Sequence, residues 1–190
     1  MMKVWCDACT GKQVRYVVAI ARHLRRLGHE VILTTRKHPD TLPLVKLSGE
    51  PFITVGKYDP ISHLSRLKES LKRQLTFCEM FKENAPNVAI SHGSVELCRT
   101  AFGLGVPIIS TYDTPHAEAV NRLTLPLVDF LVVSKAIPKR YVQRYGVKKV
   151  FQFEGVDEVA WIKNFKPTTE YDYGKPLIVV RQFEAKAAYA

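Results

Sequence analysis

Short apolar runs alternate with amphipathic segments from residue 3 to residue 153, and that alternation leaves few folds open. Residues 3–6 are a short run of strand formers. Residues 13–27 then place Val14, Val17, Val18, Ala21, Leu24 and Leu27 at helical spacing, with Arg22, Arg25 and Arg26 toward the end and Gly28 as the stop. Strands are expected at 30–35, 51–55, 88–91, 107–111, 130–134 and 150–153. Helices are expected at 62–83, 95–103, 117–125 and 139–145. In the long helix, Leu64, Leu67, Leu71, Leu75, Cys78 and Phe81 share one face, which is expected to be buried, and Arg66, Lys68, Lys72 and Arg73 share the other. Short apolar strands joined by helices read as a parallel sheet covered on both faces. With right-handed crossovers this is an α/β, doubly wound, mostly parallel, Rossmann-like sheet of seven strands.

The organisation changes after residue 163. Residues 164–176, with Lys166-Pro167-Thr168-Thr169 and Gly174-Lys175-Pro176, have the composition of a linker. Residues 177–181 read as a fresh buried strand. Such a strand either adds to the first sheet or opens a second domain. The second reading is preferred, giving a domain over 1–163, a linker over 164–176 and the start of a truncated domain over 177–190.

Composition narrows the partners. Lys and Arg number 28 against 18 Asp and Glu, a formal charge of +10, which favours anionic partners: nucleotides, nucleic acid or an acidic membrane surface. No apolar run approaches the roughly 18–20 residues of a membrane span. The start, Met1-Met2-Lys3-Val4-Trp5-Cys6-Asp7, meets an acid too early for a signal peptide, so a cytoplasmic location is expected, with peripheral membrane contact as an alternative. Lys135, Lys139, Arg140, Arg144, Lys148 and Lys149 lie in a stretch without acids, near Tyr141 and Tyr145. No recognised nucleic-acid motif accompanies them, and a nucleic-acid partner is disfavoured. The stretch, or the basic face of the long helix, is equally able to lean on anionic lipid carrying an acceptor.

Open parallel sheets bind ligands beyond the C-terminal ends of their strands. Three loops there hold chemistry. Thr10-Gly11-Lys12 resembles the end of a phosphate-binding loop but lacks the first glycine and the hydroxyl of the full pattern. Its Gly11 is still a candidate ligand contact at a helix N-terminus. His92, Gly93 and Ser94 form a second candidate contact, with the glycine admitting close backbone approach or serving only the turn. The densest group runs from Asp113 through His116 to Glu118 and Arg122. His116 there is the candidate base, with Asp113, Glu118 or Asp7 as helper, and an N-terminal capping cluster as the structural alternative. Cys6 and Cys9 are read as two small residues in a tight turn, in preference to a zinc site completed by His92 and His116. No metal is expected. Cys78 and Cys98 are placed on apolar helix faces as small hydrophobes.

Several of these stretches also resemble a known family. Arg26-Leu27-Gly28-His29-Glu30-Val31, Ser91-His92-Gly93-Ser94-Val95-Glu96-Leu97 and Asp113-Thr114-Pro115-His116-Ala117-Glu118-Ala119 through Asn121-Arg122-Leu123-Thr124-Leu125-Pro126 are similar to an archaeal family of uncharacterised proteins with GT-B glycosyltransferase architecture. Gly155-Val156-Asp157-Glu158-Val159-Ala160-Trp161 and Ile178-Val179-Val180-Arg181 fit it too. His116-Ala117-Glu118-Ala119 also resembles the non-hydrolysing UDP-N-acetylglucosamine 2-epimerases. The resemblance implies two Rossmann-like domains across a cleft, of which this chain matches the N-terminal, acceptor-side half. It implies a nucleotide sugar as co-substrate, no required cofactor, and a sugar or lipid-linked acceptor. The donor domain would lie further along the same gene or on a partner chain, and this half alone would be inactive. Transfer by His116 with Asp113 or Glu118, epimerase-like chemistry that leans on Glu118, and a non-catalytic basic binding module all remain open.

Overall fold

The computed structural model describes residues 1–163, 165–167 and 171–180. Seven strands form one sheet in the order β3-β2-β1-β4-β5-β6-β7, and every neighbouring pair is parallel. The strands are β1 (Lys3–Ala8), β2 (Glu30–Lys37), β3 (Phe52–Lys57), β4 (Val88–Ser91), β5 (Ile108–Tyr112), β6 (Phe130–Ser134) and β7 (Val150–Phe153). The helices are α1 (Gly11–Arg26), α2 (Leu42–Ser48), α3 (His63–Phe81), α4 (Val95–Gly103), α5 (Glu118–Thr124), α6 (Arg140–Gln143) and α7 (Val159–Ile162), with a single 3₁₀ turn at Leu125–Leu127. This is the expected doubly wound α/β sheet. Strand order reverses between β1 and β4, so their diverging loops open a crevice at the C-terminal edge.

Strand β1 is central and buried on both faces, and its residues alternate between two cores. Val4, Cys6 and Ala8 pack with Val14, Val17 and Val18 of α1. Trp5 points the other way, its ring 4.8 Å from those of Phe77 and Phe81 of α3. The strand runs to Ala8, two residues beyond the expected end, so Cys6 and Cys9 flank ordinary strand backbone rather than a tight turn. Cys6 joins the α1 core, whereas Cys9 joins a polar network on the α3 side.

Helix α3 departs from expectation in which side it buries. Phe77 and Phe81 are buried as a pair with Arg73, while Leu64, Leu67, Leu71 and Leu75 are 46–68% exposed. Cys78 is exposed as well, whereas Cys98 is buried as expected. The helix carries two apolar stripes, and the one with aromatic rings faces the sheet because it fills the space around Trp5. Helix α2 was not anticipated; it is short, starts with Pro43 in its first turn and buries none of its residues fully.

Residues Leu177, Ile178, Val179 and Val180 form no strand and are exposed, so they do not extend the sheet. Arg181, the remaining tail to Ala190, and part of the expected linker lie outside the described residues. Among the described residues, no helix is long and apolar enough to cross a membrane.

Candidate functional site

The β1–α1 turn is locked by a capping box. Thr10 caps α1 by accepting from the Gln13 N–H, and Gln13 Oε1 accepts from the N–H groups of Cys9 and Thr10 at 2.6 and 3.1 Å. Gln13 Nε2 donates to the carbonyl of His92 at 2.6 Å. One side chain therefore ties the loop after β1 to the loop after β4, across the crevice. Gly93 takes the turn after His92 with φ of +80°, a conformation that L side chains rarely adopt. Ser94 then caps α4, accepting from the Leu97 N–H.

These loops bring Lys12, His92 and Asp113 together. Lys12 contacts Asp113 directly, and its Nζ lies 3.0 Å from Glu158 and 3.9 Å from Asp157. His92 is buried, its Nδ1 2.6 Å from Thr111 Oγ1 and its Nε2 3.5 Å from Asp113 Oδ1. Tyr16 packs its ring 5.0 Å from His92 and 6.0 Å from Trp161. Asp157, Glu158 and Trp161 come from the segment after β7, which runs back from the far edge of the sheet to α1. The site thus joins the ends of β1, β4 and β5 to a return segment about 145 residues further along the chain than Lys12, a separation that no local spacing announces.

The electrostatics differ among the three acids. Burial works to raise Asp113, but hydrogen bonds and charge from His92 and Lys12, with the Thr114 hydroxyl, outweigh it and hold the carboxyl well below its usual range. Burial raises Asp157 against the charges of His92 and Lys12, with Asp113 and Glu158 adding to the rise. Hydrogen bonding to Lys12 lowers Glu158. Burial and the neighbouring Asp157 push Tyr16 up to about 12, so its hydroxyl keeps its proton near neutrality.

The other candidates fall elsewhere. Gly11 sits in the first turn of α1, where an added Cβ would lie 2.9 Å from Leu44 Cδ1, so its lack of a side chain serves packing against α2. Ser94 is buried beneath the crevice, donating to Asp7 Oδ2 at 2.6 Å. Asp7 is bound by Arg73 at 2.8 Å and Thr34 at 2.7 Å, which engages it below the loop that carries His116. His116 itself is exposed on the loop before α5. That loop is stapled by Asn121, whose Nδ2 donates to the carbonyls of Thr114 and Pro115 and to Tyr112 Oη. Glu118 is held by Tyr145, by Arg122 at 2.7 Å and by Arg144 at 3.0 Å, joining α5 to α6. Sequence reasoning missed Lys12, Tyr16, Thr111, Asp157 and Glu158 as members of one site. A groove of about 550 Å³ lined by Phe102, Pro107, Pro126, Phe130 and Lys149 lies at the opposite, N-terminal edge of the strands and contains none of these groups.

Known proteins share this frame. The profile of a family described as "Protein of unknown function (DUF354)" matches residues 2–180. The uncharacterized protein MJ0665 of Methanocaldococcus jannaschii is 34% identical over 163 residues, covering 84% of this chain and 46% of its own length. The UDP-GlcNAc 2-epimerase from Neisseria meningitidis, solved with UDP-GlcNAc, superposes with a TM-score of 0.63 at 17% identity, over 80% of this chain and 46% of that one. The spinosyn forosaminyltransferase SpnP superposes with a TM-score of 0.54 at 16% identity, over 82% of this chain and 51% of that one. This chain therefore spans about half the length of the proteins it matches. The Rossmann-like sheet is the one found in GT-B glycosyltransferases and UDP-GlcNAc 2-epimerases, and by its profile match and its archaeal relative the chain belongs to the DUF354 family.

Proposed function

We propose that this chain is the N-terminal, acceptor-side half of a two-domain enzyme that transfers a sugar from a nucleotide sugar. The observation that carries the reading is the convergence of Lys12, His92, Asp113 and Asp157 at the crevice where strand order reverses. Three carboxylates against one lysine repel the diphosphate of a donor and suit the hydroxyls of a neutral acceptor. Trp161, half-buried and backed by Tyr16, gives that acceptor aromatic surface beside the polar groups. The donor then belongs to a facing domain.

In the transfer, an acceptor oxygen attacks the anomeric carbon as the bond from that carbon to the diphosphate oxygen breaks. The nucleoside diphosphate leaves with the electron pair, and the acceptor proton passes to a base. His116 is that base in this reading: it is exposed on a loop held by Asn121, at the same edge as the cluster. Asp113 and His92 orient the acceptor. Glu118, tied to Arg122, Arg144 and Tyr145, fixes α5 beneath the loop.

The test is nucleoside diphosphate release by the full-length gene product over a panel of nucleotide sugars and sugar acceptors. Acceptor-dependent release is expected. His116→Ala should lower kcat by about 100- to 10,000-fold, the usual contribution of a general base. Asp113→Asn should act mainly on the acceptor KM. A second reading, epimerisation of the donor sugar, is favoured by the higher TM-score of the epimerase, 0.63 against 0.54. Inversion of the sugar without any acceptor, abolished by Glu118→Gln, would establish it instead. Neither product from any nucleotide sugar would sink both readings.

A further inference from the structure

Around His92 the crevice gathers metal-ligand-type side chains, one of them with an orphaned buried oxygen. Thr111 Oγ1 has a single proton and donates it to the carbonyl of Ser91 at 3.4 Å. The same oxygen lies 2.6 Å from His92 Nδ1, where its lone pairs let it accept from an Nδ1–H. Nε2 lies 3.5 Å from Asp113 Oδ1. Asp157 completes the group. It is 7% exposed, and its Oδ1 has no hydrogen-bond partner among the described residues. Ligand atoms of His92, Asp113 and Asp157 all lie within 4.8 Å of one another.

The charges point the same way. Asp113, Asp157 and Glu158 surround one ammonium, that of Lys12, which contacts Asp113 directly and lies 3.0 Å from Glu158. Three carboxylates against one lysine, with His92 beside them, leave negative charge that a single divalent ion would offset. We propose that His92 Nε2, Asp113 and Asp157 bind a divalent metal cation, with Lys12 turned to Glu158. One imidazole and two carboxylates suit Mn²⁺, Fe²⁺ or Zn²⁺. Thr111 fixes the tautomer and ring orientation from behind, as outer partners of metal-bound histidines do. Gln13 holds the His92 backbone. With His92 neutral, the ion and Lys12 together balance the three carboxylates. The site stands whichever reaction the whole enzyme performs.

The experiment is Mn²⁺ titration of this chain, followed by loss of the free-ion electron paramagnetic resonance signal, with Zn²⁺ as competitor. A single ion per chain is expected. Thr111→Val should weaken it about 10- to 100-fold, the usual cost of losing an outer partner, and His92→Ala and Asp157→Asn should weaken it further. Lys12→Gln should tighten it by removing the competing ammonium. Asp157→Asn keeps the side-chain volume and removes a buried carboxylate, so its metal-free thermal midpoint should match or exceed that of the wild type, which separates loss of the site from loss of the fold. Failure of both wild type and Lys12→Gln to bind Mn²⁺ or Zn²⁺ overturns the proposal, leaving a His92–Asp113 ion pair. Binding unchanged in His92→Ala and Asp157→Asn overturns it too, as adventitious surface binding. No sugar or nucleotide enters the assay, so its failure is distinct from failure of the transferase reading.

Discussion

Arg73 is 1% exposed, and its guanidinium meets Asp7 at 2.8 Å, Glu96 at 3.1 Å, the Cys9 thiol at 3.3 Å and the Val55 carbonyl at 2.8 Å. The residue that makes room for it is Gly56, where an added Cβ would lie 2.5 Å from Arg73 Cγ. Removing one member of a buried ion pair strands the others, and Arg73→Met should cost about 3–5 kcal/mol in urea unfolding near neutral pH. The pH dependence should change sign as well. Burial works to raise Asp7 above its ordinary 3.8, but Arg73, Ser94 and Thr34 outweigh it and the carboxyl sits lower. A depressed folded value means its stabilisation is complete above 3.8 and is lost as pH falls through the folded value. Without Arg73, burial dominates and the carboxyl rises. The variant should then gain stability as pH falls toward 3.8, whereas the Asp7 contribution in the wild type stays flat above that value. Little of this network was legible. Arg73 sits among Lys68 and Lys72 and reads as one more surface cation, and its acid lies 66 residues away. The available signal was Phe77 and Phe81, four and eight residues on, which put Arg73 on an aromatic stripe.

Helix α3 shows why periodicity alone misassigns a face. Its leucine stripe and its aromatic stripe both recur at helical spacing, and the pattern does not say which meets the sheet. Ring volume decides: Trp5 needs partners at contact distance, and Phe77 and Phe81 supply them. Two substitutions read this directly. Phe77→Ala should destabilise by about 3–5 kcal/mol, the cost of a large core cavity. Leu71→Gln, on the exposed stripe, should stay within about 0.5 kcal/mol. The reverse ranking in urea unfolding would mean that the leucines are the buried face. The strands were legible for the opposite reason. The inner strands, covered on both faces, are near-continuous apolar runs, and all seven strands lie where the sequence put them to within a few residues. Helix α2 lacked such a signal, since none of its seven residues is buried.

At the scale of the whole molecule, the proposed function makes the crevice at the β1–β4 divide one wall of a site. Ligand pockets bury most of their ligand, roughly 70–90% of its surface, and an open sheet edge does not. The chain spans 46% of its archaeal relative and 46% of the epimerase chain. Its His92, Asp113 and Lys12 were individually visible in the polar loops, but the return segment with Asp157 and Glu158 was not, because only the completed sheet brings it back to α1. If the facing wall carries the donor site, nucleotide affinity must divide unequally between the half and the whole. Calorimetric titration with UDP should give the full-length gene product a Kd within the usual substrate range, about 1 μM to 1 mM. This chain alone should bind too weakly to saturate at about 1 mM. In metal-free protein the acidic cluster sharpens the contrast, because carboxylates at the crevice oppose a diphosphate that a chain of net +10 otherwise attracts. Rising salt should therefore weaken whatever residual binding the half shows, as diffuse attraction to basic surface does. Equal, salt-resistant affinity in the half and the whole would place the nucleotide on this domain, and the acceptor-side assignment would fall with it.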